Sequence, residues 1–187
     1  MIRRALALIR DPAAEWRVVA AEGATTPRIA FGYVVPMSLL PALAWTAGTA
    51  MFPADIGGAA VTADAAAAVR AGIGTFAGSV LTVFAFSLAI AAVATLYGVR
   101  RDYAGAFRVA AYGATPVWLA GLLLVKPLLI LVLPVAVMHA CYLCHEGLQI
   151  VLGVRPGDAA EYVAISAFLT IAMSVLAGGI LGFLQIM

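Results

Sequence analysis

An all-α membrane protein is what this sequence predicts: a bundle of five transmembrane helices preceded by amphipathic helices on the cytoplasmic face. Three observations predict it. Of 187 residues, 65% are hydrophobic and 11% charged, and the mean hydropathy is +1.08. A soluble domain is about a quarter charged, so this chain lacks the polar surface to cover a water-facing globule. Second, five stretches stay apolar over the roughly 20 residues a helix needs to cross a hydrocarbon core. Third, the loop arginines and lysine fall unevenly on the two sides of those stretches.

The spans are expected at about Ile29 to Phe52, Gly72 to Tyr97, Val109 to Val125, Pro127 to Leu152 and Tyr162 to Met187. Only Lys126-Pro127 separates the third from the fourth, which predicts a tight helical hairpin. Residues 1–28 then form a cytoplasmic helical segment and 29–187 the membrane domain. With five spans, Arg3, Arg4, Arg10, Arg17, Arg28, Arg100, Arg101, Arg108 and Arg155 share one side, against Arg70 and Lys126 on the other. Basic loops stay in the cytoplasm, so the N-terminus is expected inside and the C-terminus outside. Ten arginines against one lysine, with abundant alanine, suit a high-GC bacterial genome and hence an inner (cytoplasmic) membrane. No run of basic residues is long enough to track a phosphate backbone, which excludes nucleic acid as a partner.

The N-terminal segment contains no export signal. Arg3 and Arg4 are paired, but only Ala5 to Ile9 follow before Arg10 and Asp11, too short an apolar run. Ile2, Ala5, Leu6 and Ile9 instead recur at helical spacing. Asp11-Pro12 reads as N-cap and first position of a second helix that stops at Gly23. Trp16, Arg3 and Arg4 suit the headgroup region as interfacial anchors. Packing of Trp16 against the bundle is the competing reading. Further along, Gly153 and Pro156 end the fourth helix, and Asp158 to Glu161 resembles a capping box opening the fifth. Gly74 and Gly78, and Ser174, Gly178 and Gly182, have the spacing of close helix contacts. "GIGTFAG" lies within a span with no lysine after it and is no phosphate loop.

The run Cys141-Tyr142-Leu143-Cys144-His145 has the spacing of covalent c-type haem attachment. That chemistry needs an accessible, extracytoplasmic segment, and this run is embedded in the cytoplasmic half of the fourth span. Cys141, Cys144 and His145 share one helical face as candidate metal ligands, while His139 and Glu146, seven apart, align on another. One straight helix cannot aim all five at one ion. Free cysteine packs as a small hydrophobe, so no cofactor and no metal are expected. His139 and Glu146 are ionisable groups within a span, and with Tyr112 and Thr115 they are candidates for a polar pathway. Tyr112 and Thr115 flank Pro116, whose missing N–H frees a carbonyl that needs a partner. Pro36, Pro41 and Pro134 pose the same problem elsewhere.

Three segments carry a family resemblance. "DPAAEWRVVAAE" resembles the entry of bacterial Yip1-domain proteins, where Asn/Asp-Pro precedes an aromatic residue and an acidic helix. "AYGATPVWLAGLL" is similar to their third span, and "CYLCHEGLQIVLGVRPGDAAEY" to the exit of their fourth. The likeness covers nearly the whole chain and implies five spans with the N-terminus inside. It implies a multi-pass protein that is not an enzyme; eukaryotic members are associated with Rab GTPases and vesicle formation. The Asp-Leu-Tyr-Gly-Pro motif of that branch is absent here, so no GTPase partnership is carried over. The usual family residue near Cys144 is aromatic or aliphatic, in line with a packing role.

Three functions follow as expectations. The first is a non-enzymatic protein that organises the membrane or scaffolds partners (other membrane proteins or further copies of itself) within the lipid bilayer. The second is a small transporter or channel component using His139, Glu146, Tyr112 and Thr115. The third is a metal- or haem-binding protein using Cys141, Cys144 and His145. No nucleophile–base pair stands at a water-facing end, so catalysis is not expected.

Overall fold

Asp11 decides how the chain begins. In the computed structural model, which describes residues 1–52, 54–56, 59–61, 64–126 and 131–186, its carboxylate accepts from the Ala14 N–H at 3.1 Å. That cap ends α1 (Ile2–Arg10) and opens α2 (Pro12–Glu22). Gly23, at φ 58, closes α2 in the left-handed conformation that only glycine adopts without strain. The expected pair of N-terminal helices is present.

Five helices long and apolar enough to cross a membrane follow. They are α3 (Thr26–Met51), α4 (Ala65–Val93, tightening into a 3-10 turn to Tyr97), and a broken span made of α5 (Tyr103–Gly113) and α6 (Thr115–Gly121, with a 3-10 turn to Val125). The last two are α7 (Leu133–Leu152) and α8 (Pro156–Ile186). Between α3 and α4 lies a short antiparallel pair, β1 (Ala54–Ile56) and β2 (Ala59–Val61), with Asp55 opposite Ala60. This hairpin was not expected.

Several helices start earlier than hydropathy suggests, because hydropathy reads the apolar middle and not the capped end. Asp64 accepts from the Ala67 N–H at 2.5 Å and starts α4 about two turns before Gly72. The last helix opens at Pro156, not at the expected Asp158 cap. Proline suits a first helical turn, where its missing N–H is no loss, and Asp158 pairs instead with Arg155 at 3.3 Å on the surface. Gly153 ends α7 at φ 71, as the sequence suggested. Expectations for Pro127 and for Met187 lie outside the described residues.

Lipid tails are as apolar as leucine, so helices in a bilayer are held by close packing more than by the hydrophobic effect. Small residues do this here, but not the expected Gly74 and Gly78; of the other expected set, Gly178 and Gly182 lie outside the residues whose surroundings are described. A Cβ on Gly74 or Gly78 would meet nothing within 4 Å. Their face looks outward, alongside exposed Ile73 and Leu81. Close approach occurs instead at Gly121, where a Cβ would sit 2.5 Å from the Pro41 ring, and at Gly48 beneath the Leu124 and Val125 carbonyls. These contacts tie α3 to the broken span.

One apolar cluster runs from α1 and α2 through the bundle, joining Leu8, Trp16 and Val19 to Tyr33, Phe107, Leu143, Leu148 and Tyr162. Residues before the first span are therefore part of the same core.

Candidate functional site

Two carboxylates on α2, Glu15 and Glu22, are seven residues apart and so share one face of that helix. Arg4, on α1, reaches across to both. Its Nε donates to Glu15 Oε1 at 2.8 Å, Nη1 donates to Glu22 Oε2 at 2.8 Å, and Nη2 donates to Glu22 Oε1. This is the two-pronged geometry that favours arginine over lysine. Nη1 also donates to the Tyr112 hydroxyl on α5 at 3.1 Å, and the guanidinium lies 5.3 Å from that ring's centre. One side chain thus joins α1, α2 and the transmembrane bundle. Glu22 is the main reason the Arg4 guanidinium is held protonated beyond its ordinary range. In return, the hydrogen bond from Arg4 holds the Glu22 carboxyl below the usual glutamate value.

Beside this clasp the Trp16 ring is fully buried, so of the two placements weighed from sequence it takes the bundle. It packs edge-on to Tyr112 at 6.3 Å between centroids and against α7 at Gly147, where a Cβ would lie 2.8 Å from Trp16 Cζ2. Arg4 likewise turns inward, because two carboxylates and a phenol offer it acceptors that water or a headgroup need not supply. Arg3 is exposed and makes no ion pair among the described residues.

Below the clasp, Pro116 has no N–H to give the Tyr112 carbonyl, and the span breaks at Ala114. The Thr115 hydroxyl donates to that carbonyl at 2.5 Å. Its hydrogen being used, the Tyr33 hydroxyl must donate to Thr115 Oγ1 at 2.7 Å. Tyr33 packs edge-on to Tyr112 at 4.7 Å and to Trp118 at 6.2 Å. Trp16, Tyr112, Tyr33 and Trp118 therefore form an aromatic chain from α2 into the membrane span. Every hydroxyl in it has a partner, so it braces the proline break.

The candidate pathway residues are not joined by direct bonds into one network among the described residues. Tyr112 and Thr115 belong to this chain, but no hydrogen bond or ion pair joins them to His139 or Glu146 among the described residues. His139 packs near Tyr142 at 5.9 Å, and its Nε2 is buried without a partner. The cysteines also separate. Cys144 is buried with Sγ against Gly113 (a Cβ there would be 2.4 Å away), while Cys141 is exposed. No cluster of three His, Cys, Asp or Glu side chains that could hold a metal occurs among the described residues. Replacing both cysteines with alanine is expected to cost on the order of 1 kcal/mol per site. Intact mass should fall by the two lost sulfur atoms and nothing more, and metal content should not change; loss of a stoichiometric metal or haem on mutation would contradict the packing role.

Beyond the clasp the same elements leave a groove of about 730 Å³, lined by Arg3, Arg4, Glu15, Glu22, Arg28, Gly32, Tyr33 and Tyr112, among others. Sequence reasoning missed Glu15, Glu22, Tyr33 and Gly147. The seven-residue spacing of the two glutamates was the available signal.

Comparison with known families settles the class. The Yip1 domain model matches residues 6–179. The chain belongs to the Yip1-domain family. The match begins within α1 and so includes most of the N-terminal hairpin. The resemblance to the Yip1-domain family drawn from the α2 entry, the Pro116 region and the α7 exit is thereby borne out over residues 6–179. No curated protein and no solved structure gives a match.

Proposed function

We propose that this Yip1-domain protein is a non-enzymatic organiser of the bacterial inner membrane, acting through its N-terminal hairpin on the cytoplasmic surface. The observation that carries this is the double-sided character of α1. Ala5 and Leu8 face the bundle, while Ile2, Leu6 and Ile9 are exposed, flanked by Arg3 and Arg10. An in-plane helix with an apolar outer ridge and basic flanks inserts at the boundary of headgroups and acyl chains. Because Arg4 and Trp16 fix α1 to five spans, such insertion is coupled to a rigid anchor. This arrangement widens one leaflet locally, or presents α1 to another membrane protein.

The test reconstitutes the full chain in anionic vesicles, beside a variant with Ile2→Gln, Leu6→Gln and Ile9→Gln. Wild-type protein is expected to reduce vesicle diameter or form tubules at densities where the variant does not. Equal vesicle shapes would remove the membrane-organising role. Orientation is checked separately, in intact cells. A cysteine after Met187 should label from outside, and one beside Arg100 should not; the reverse pattern would overturn the topology.

A further inference from the structure

We propose that the groove between α1, α2 and the first turns of α3 binds the phosphate headgroup of an anionic phospholipid. Its lining carries three guanidiniums, Arg3, Arg4 and Arg28, against two carboxylates, Glu15 and Glu22. Arg4 is consumed by both carboxylates. Arg3 and Arg28 are exposed and make no ion pair among the described residues. The lining side chains therefore carry a net excess of one positive charge, to which the Met1 amino group adds another, and a phosphodiester's negative charge offsets part of that excess. Arginine is the side chain whose planar fork best fits phosphate oxygens.

A second group points the same way. Tyr112 is only 4% exposed and lines the groove. Its hydroxyl oxygen accepts from Arg4, and its own hydrogen has no acceptor among the described residues. A buried hydroxyl with a spare hydrogen is a donor waiting for an acceptor. Phosphate oxygens in the groove supply one.

The position of the groove selects a lipid over a soluble phosphate. Arg28 is in the first turn of α3, the opening turn of a membrane span, and Gly32 lies one turn further in. Ile29 and Val18 add apolar wall. The groove thus passes from the level of the headgroups toward that of the acyl chains. A Cβ on Gly32 would meet nothing within 4 Å, which leaves that side open for a chain. This inference needs only that the five helices cross a bilayer, and does not depend on membrane shaping by α1.

The experiment is native mass spectrometry of the delipidated full chain, titrated with phosphatidylglycerol or phosphatidylcholine of identical acyl chains. Phosphatidylglycerol should bind about tenfold more tightly or better, since each arginine near an anionic surface contributes on that scale. The Arg3→Gln/Arg28→Gln variant should lose that preference, and Arg28→Lys should keep part of it. Gly32→Leu fills the groove while keeping a residue well suited to helix. It should weaken both lipids without changing helix content. Soluble glycerol 3-phosphate should fail to displace the lipid. Equal binding of the two lipids, unchanged preference in the Arg3→Gln/Arg28→Gln variant, or displacement by glycerol 3-phosphate at comparable concentration would each overturn the assignment.

Discussion

Trp16→Ala is expected to detach the N-terminal hairpin from the bundle. The ring is fully buried between α2, Tyr112 on α5 and Gly147 on α7. Removing a buried tryptophan side chain costs about 3–5 kcal/mol through lost contacts and the cavity left behind. The five spans have their own contacts, so the loss falls on α1 and α2. Proteolysis at residues 10–25 should accelerate by two to three orders of magnitude, on the order of what that free energy allows. Trp16→Phe should do much less, because Trp16 Nε1 has no hydrogen-bond partner to lose. Gly147→Leu approaches the same contact from the other side and should mimic the alanine variant.

Arg4→Ala is the second large effect. It strands Glu15, whose side chain is 16% exposed, and Glu22, which is 41% exposed. Breaking a fully buried pair costs about 3–5 kcal/mol. Solvent screening at Glu22 discounts that here to about 2 kcal/mol. Arg4→Lys should recover part of it, keeping the charge and losing the fork. Acid should act in the same direction. The Glu22 carboxyl is held below its ordinary value near 4.5, so its contribution is complete above that pH. It fades as pH falls through the lowered value, when the carboxylate takes up a proton. The hairpin should therefore loosen in acid, and raising the pH from 5 to 8 should leave Glu22's contribution unchanged. Protease sensitivity of α1 and α2, followed from pH 8 down to well below 4.5, measures it, and Arg4→Ala should flatten the acid limb.

The fold was legible because bilayer physics is blunt: five long apolar stretches and a loop-charge imbalance leave few alternatives. Helix ends were less legible, since Asp64 and Pro156 set them outside the apolar stretches. Half of the proline problem could be read directly. Tyr112, Thr115 and Pro116 are neighbours in sequence, and the Thr115 hydroxyl does satisfy the carbonyl that Pro116 leaves free. Its other partner, Tyr33, is 82 residues away and had no local signal. Arg4 and Tyr112 are 108 residues apart, which hid the clasp for the same reason. Composition drew Arg4 and Trp16 toward headgroups; tertiary partners drew them inward. The Cys-x-x-Cys-His run was conspicuous because it matches a motif of accessible segments. Within α7 it straddles the boundary between a buried Cys144 and an exposed Cys141.

That the N-terminal hairpin belongs to the folded domain is tested most directly by hydrogen exchange of residues 2–22. The full chain would be placed in nanodiscs of anionic and of zwitterionic lipid, at low and at high salt. Helices packed on the bundle should exchange about a hundredfold or more slowly than a free peptide of the same residues. That protection should survive both the change of lipid and the added salt, and disappear in Trp16→Ala. Peptide-like exchange, or protection seen only on anionic lipid at low salt, would contradict it. Either result would mean that α1 and α2 rest on the membrane and not on the protein.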